Sequence, residues 1–207
     1  MKLWFIPFNN KYKFISSCEE KISEGLSCKR SDSYRFTRGY LRYCLSKVLC
    51  LPCKDIPISA IPGKPPTLPN KFGYVSISHY SNEALLIGWS LKKICVDLEN
   101  INRNLNLDSI IKSKWFKNEE KLISNFNKND FKIDILKIWV IKEALIKSHF
   151  GSIFKNYDDW LIKDEGNAYN SKLKISRKIF YKRLNNWNIG MAFDEDIKYE
   201  PELIELR

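Results

Sequence analysis

Histidine is scarce in this chain, with His79 and His149 the only two among 207 residues. Cysteine is present six times, but Cys50-Leu51-Pro52-Cys53 is the lone CxxC and no second pair follows it. With so few imidazoles, that half of a zinc site has nothing to complete it. The CxxC also follows a helical pattern instead of opening one, so no helix N-terminus lowers a thiol pKa there and a redox role is not favoured. No stretch approaches the roughly 18 apolar residues that span a bilayer. The apolar opening Met1-Lys2-Leu3-Trp4-Phe5-Ile6-Pro7-Phe8 meets Asn9, Asn10 and Lys11 too early for a secretion signal, and reads as a first strand. A soluble, cytoplasmic protein with free thiols is expected. A GxxxxGK[ST] phosphate loop is absent too, which counts against a P-loop phosphotransferase.

Other residues are plentiful. Hydrophobic side chains make up 44%, with 12 Phe, 10 Tyr and 6 Trp, enough for a packed core in one large domain or two small ones. Lys and Arg total 35 against 24 Asp and Glu, a formal charge of +11. Such a field favours polyanionic partners: nucleic acid, membrane phosphates, a phosphate-rich cofactor or an acidic protein. A composition rich in Lys, Asn and Ile accounts for it equally well, so charge alone selects no partner.

The pattern along the chain is mixed helix and strand. A polar stretch over 17–33 leads to a helix from Ser33 to about Leu49, with Phe36, Tyr40, Tyr43, Cys44 and Val48 as its apolar stripe. Arg35, Arg38 and Arg42 fall at helical spacing beside it. Six prolines between Leu51 and Asn70 make that segment extended loop. Strands are expected over Gly73–His79, Glu83–Ser90 and Lys93–Glu99, joined as an antiparallel meander. In the third, Ile94, Val96 and Leu98 take one face, leaving Cys95, Asp97 and Glu99 on the other. The Asn-rich turn over 100–107 suggests a boundary, giving domains 1–102 and 103–207. Helices follow around Asn118–Asn127 and Asp134–His149, the latter with Ile135, Ile138, Trp139, Lys142 and Leu145 on one stripe. Further strands are expected near Trp160–Lys163, Lys172–Ser176, Ile179–Arg183 and Asn188–Phe193. The fold class is α+β, read as two similar subdomains with antiparallel sheets and an active site in the cleft between them.

Two acidic motifs carry the chemistry. Asp97 and Glu99, at i and i+2 of a strand, project from one face. Glu143 and Lys147, at i and i+4 of a helix, share one side. Brought together, three carboxylates and an ammonium make a hard-cation site suited to magnesium-assisted phosphate chemistry. Taken singly, an acidic strand end and an i,i+4 ion pair are commonplace. Gly63-Lys64-Pro65-Pro66 sets a cation between rigid prolines, and Ser76-Ile77-Ser78-His79 brings a histidine to a strand end. His149 is at a helix C-terminus, where the dipole accounts for it.

In order, the arginine helix, Gly63-Lys64-Pro65, Ser76-Ile77-Ser78-His79, Asp97-Leu98-Glu99 and Trp139-Val140-Ile141-Lys142-Glu143-Ala144-Leu145-Ile146-Lys147 resemble the 4′-phosphopantetheinyl transferases, in their larger, single-chain, two-subdomain form. Trp115-Phe116 and Glu120 are similar to that family's aromatic pair and glutamate. Cys95 stands where the family often has glycine, and Ser148–Ile153 replaces its usual glycine-rich turn.

The resemblance implies transfer of the phosphopantetheine arm of coenzyme A to a serine of an apo acyl or peptidyl carrier protein. Adenosine 3′,5′-bisphosphate would be released. It implies Asp97, Glu99 and Glu143 as ligands for Mg²⁺ (or Mn²⁺), with Glu143 also the base and Lys147 stabilising the phosphates and the leaving group. Lys64, Pro65, Ser78 and His79 would line the coenzyme A site, with Arg35 and Arg38 at its 3′-phosphate. The expected partner is an acidic carrier protein met by a basic monomer, without nucleic acid or membrane. A basic nucleic-acid-binding protein using Arg35, Arg38 and Arg42 is the alternative, but it gives no reason for the acidic motifs.

Overall fold

The computed structural model describes residues 1–9, 13–59, 64–104, 106, 119, 128–149 and 157–206, with the backbone alone over 128–130. Apart from Glu119, the expected helix near Asn118–Asn127 lies outside the described residues, as do Gly63, Trp115-Phe116, Glu120 and the loop from Phe150 to Ile153. Two compact units emerge, Met1–Lys92 with Pro201–Arg207, and Lys93–Glu200. The fold is α+β, and each unit has its own sheet.

The first unit holds strands β1 (Lys2–Pro7), β2 (Tyr74–Tyr80), β3 (Ala84–Ser90) and β9 (Glu202–Glu205), in the order β2-β3-β1-β9. Helices α1 (Ser17–Glu24) and α2 (Cys28–Leu49) belong to it as well. The polar stretch expected before α2 is therefore helical. Ser16 caps α1, taking the Glu19 backbone N–H while the Glu19 carboxylate returns to the Ser16 N–H, a reciprocal capping box. Phe36, Tyr40, Leu41, Cys44 and Leu45 of α2 pack on Trp4, Ile6, Leu85 and Ile87 of β1 and β3. Arg42 is buried and commits its guanidinium to structure, at 2.6 Å from Glu19 and 3.0 Å from the carbonyls of Cys53 and Ile56.

The meander is two strands long, not three. β3 is flanked by β2 on one edge and β1 on the other, so no edge remains for the next strand. That strand, β4 (Ile94–Asn100), pairs instead with β8 (Trp187–Phe193) in the second unit. The Lys93 N–H reaches Asp194 Oδ2 at 3.2 Å and helps to lock that start. Compact units accordingly divide between Lys92 and Lys93 instead of near residue 102. The tail also crosses back: β9 pairs with β1 in parallel, so the first sheet is not wholly antiparallel.

The second unit's sheet runs β4-β8-β7-β6-β5, with β5 at Trp160–Ile162, β6 at Asn167–Asn170 and β7 at Ile175–Leu184. The expected strand at Lys172–Ser176 is mostly a turn, because Asn170 Oδ1 accepts from the Lys172 and Leu173 N–H groups and folds the chain back. Helix α3 (Lys128–Lys147) lies on this sheet, with Ile135, Ile138, Ile141 and Leu145 against Trp160, Ile179 and Ala192. Gly190 sets how closely: a Cβ there would stand 2.5 Å from the Val140 carbonyl, so the helix backbone rests directly on β8. Among the described residues no helix is long and apolar enough to cross a membrane. All six cysteines are free.

Candidate active site

Gly190 is also the cross-strand partner of Asp97. Opposed residues in an antiparallel pair share a face. Asp97 therefore projects on the side where α3 approaches most closely, with Cys95 and Glu99 beside it by the two-residue period. Cys95 is paired with Ala192 across the β4–β8 register.

Helix α3 brings the second motif to this face. Lys147 Nζ lies 2.5 Å from Asp97 Oδ1 and 3.5 Å from the Val96 carbonyl. The two motifs thus meet through an ion pair in which Asp97 is nearly buried and Lys147 is 37% exposed. Glu143, one turn before Lys147, is close enough to Asp97 to raise its own carboxyl pKa. Burial is the larger cause of that rise, and Lys147 and Arg103 oppose it. Burial works against the Lys147 ammonium, but Asp97, their hydrogen bond and Glu143 outweigh it and hold its pKa above the usual range.

Glu99 completes the set. Burial pushes its carboxyl up to about 7, helped by Asp97 and Glu143 and opposed by Arg103 and Lys147. One of its oxygens pairs with Arg103, whose guanidinium also lies 5.1 Å from the centre of the Trp139 ring. The other, Oε2, is buried with no hydrogen-bond partner. Arg103 is a site residue that the sequence reading missed. It lies in the Asn-rich turn taken as a boundary, and only its position four residues after Glu99 could have marked it.

The raised Glu99 pKa has a testable consequence. A folded-state carboxyl pKa above the unfolded value means that the native state binds the proton more tightly. Stability is then lost as pH rises from about 4.5 to about 7. At 1.36 kcal/mol per unit, the loss is at most about 3 kcal/mol. Urea unfolding without divalent cations should give a lower midpoint at pH 7.5 than at pH 5, and Glu99→Gln should reduce the difference. An unchanged slope in that variant would assign the effect to other groups.

The carboxylates fit a hard cation by chemistry, and the orphaned Glu99 oxygen is an acceptor in need of one. No group of three His, Cys, Asp or Glu among the described residues is gathered tightly enough to hold a metal ion by itself.

The remaining expected residues lie in the first unit. Arg35 pairs with Glu20, and Arg38 is buried 5.3 Å from the centre of the Tyr34 ring with its Nη1 unpartnered. Lys64 and Pro65 are exposed in the proline-rich loop, while on β2 Ser78 is buried and His79 exposed. His149 packs against Trp160 at 5.5 Å between ring centres. Burial, with Lys93 and Arg177, holds its imidazole below the usual range.

An edge strand with two carboxylates, faced by a helix that adds a third and an ammonium, is an arrangement able to handle phosphate. Residues 93–192 match the model of the 4′-phosphopantetheinyl transferase superfamily. The match lies within the second unit and spans just under half of the chain. That stretch of the second unit, which holds both acidic motifs, is therefore similar to the domain of that superfamily. No curated protein matches the chain.

Proposed function

We propose that the protein transfers the 4′-phosphopantetheine arm of coenzyme A to a serine of an apo acyl or peptidyl carrier protein in the cytoplasm. The observation carrying this reading is the Lys147–Asp97 contact at 2.5 Å, which joins the two motifs inside the family-matched stretch. In the reaction the serine oxygen bonds to the pantetheine-side phosphorus and the pyrophosphate bridge breaks, releasing adenosine 3′,5′-bisphosphate.

Asp97, Glu99 and Glu143 would hold Mg²⁺ (or Mn²⁺), which supplies charge neutralisation and alignment on the pyrophosphate. Glu143, with its raised carboxyl pKa, is suited to take the serine proton directly or through water. Lys147 remains charged and stabilises the departing phosphate oxygen. Arg35, Arg38, Lys64, Pro65, Ser78 and His79 are assigned to coenzyme A by resemblance alone. The +11 charge would steer an acidic carrier to a basic monomer.

A nucleic-acid-binding role is less well supported. A phosphate-backbone reader needs exposed cations, and two of the three helix arginines, Arg38 and Arg42, are buried. Incubation with coenzyme A, Mg²⁺ and apo carrier proteins, followed by intact mass measurement, should show the phosphopantetheine adduct only when metal is present. No adduct on several carriers, alongside salt-steep nucleic-acid binding, would overturn the proposal.

A further inference from the structure

Asn188 on β8 is completely buried and lies directly opposite Glu99 in the β4–β8 register. The amide and the carboxylate therefore share the face that α3 covers. Tyr181 of β7, opposite Gly190, is on that face too, and its hydroxyl donates to Asn188 Oδ1 at 2.7 Å. This contact occupies the carbonyl end of the amide and leaves Nδ2 as a donor. Asn188 Nδ2 and Glu99 Oε2 are both buried without a hydrogen-bond partner. One can only donate and the other accepts, and they stand on cross-strand neighbours. Two such atoms left unmatched on one face are rare in folded proteins, and a bridging group is the usual resolution.

We propose that Asn188 is a positioning residue for Glu99, its Nδ2 donating to Glu99 Oε2 through one ordered water, with Tyr181 holding the amide in place. The inference rests on the reading of Glu99 as a metal ligand. Fixing this carboxylate would aim its free lone pairs at the cation, the task that outer hydrogen bonds perform for ligating carboxylates. No other described side chain opposes Glu99 on β8, because Gly190 and Ala192 face Asp97 and Cys95.

The test is Mn²⁺ binding followed by electron paramagnetic resonance, with coenzyme A present, on wild type, Asn188→Leu and Tyr181→Phe, beside thermal melts of each. Asn188→Leu keeps the volume and removes the unpaired donor together with the acceptor of the half-buried Tyr181 hydroxyl, two effects of opposite sign, so its melting temperature should stay close to that of wild type. Its Mn²⁺ affinity should fall about 10- to 100-fold. Tyr181→Phe should weaken Mn²⁺ binding in the same direction by a smaller factor, and it keeps the test decisive if Asn188→Leu misfolds. A purely structural role would move the melts and leave the affinity of the folded fraction unchanged, which would overturn the proposal while sparing the metal role of Glu99. Failure of folded wild type to bind Mn²⁺ would overturn both.

Discussion

Glu143→Ala is expected to abolish phosphopantetheine transfer, by about 10³-fold or more in rate, while leaving the melting temperature unchanged or slightly raised. The two halves of that outcome have one cause. Burial and the neighbouring Asp97 raise the Glu143 carboxyl pKa, so its charged form is disfavoured in the folded protein. Removing a strained charge relieves the fold, and alanine is the better helix former in α3. Asp97→Ala should lose activity similarly. Its stability cost should be modest, because Lys147 is 37% exposed and keeps the Val96 carbonyl and the Glu143 carboxylate nearby. Carrier modification measured by intact mass, paired with thermal melts, checks both variants. Activity within a few-fold of wild type in either one would remove that carboxylate from the reaction.

The site was legible wherever a short-range period decided it. Alternation along β4 set Asp97 and Glu99 on one face, and helical spacing set Glu143 and Lys147 on one side of α3. What the sequence could not supply was the partner strand. Pairing β4 with β3 is the local choice across Leu91-Lys92, and it fails because β1 already occupies the free edge of β3. The actual partner, β8, brings Gly190 opposite Asp97, and that pairing lets the helix come close enough for Lys147 to reach. Long-range pairing of this kind leaves no mark within a window of ten residues.

Local signals were also available and passed over. Ser16-Ser17-Cys18-Glu19 has the spacing of a capping box, and α1 begins there. β9 gave little to read, being four residues long and separated from its partner β1 by nearly the whole chain. Arg103 was hidden by its surroundings, since a cation in a polar turn is usually solvated.

Lys142→Ala should be among the most destabilising substitutions in the second unit. Lys142 falls on the apolar stripe of α3, an odd place for a cation unless something answers it. Glu119 does, at 2.9 Å, with both side chains fully buried. Lys142 Nζ also lies 4.2 Å from the centre of the Tyr157 ring and 3.4 Å from the Tyr157 carbonyl, while the Ile162 N–H approaches Glu119 at 3.5 Å. The sequence reading singled out Glu120, and the structure pairs its neighbour. Burial lowers the Lys142 pKa and raises that of Glu119, so each charge depends on the other to persist. Alanine at 142 would strand a buried carboxylate at a cost of about 3–5 kcal/mol. Because a stranded carboxyl has a folded pKa above its unfolded value, the penalty should be larger at pH 8 than at pH 5. Replacing both partners, Lys142→Met with Glu119→Leu, should recover most of the loss, since an apolar pair of similar volume needs no counter-charge. Urea unfolding of the two singles and the double measures the coupling. If Lys142→Ala costs less than about 1 kcal/mol, the buried pair contributes little to the stability of the second unit.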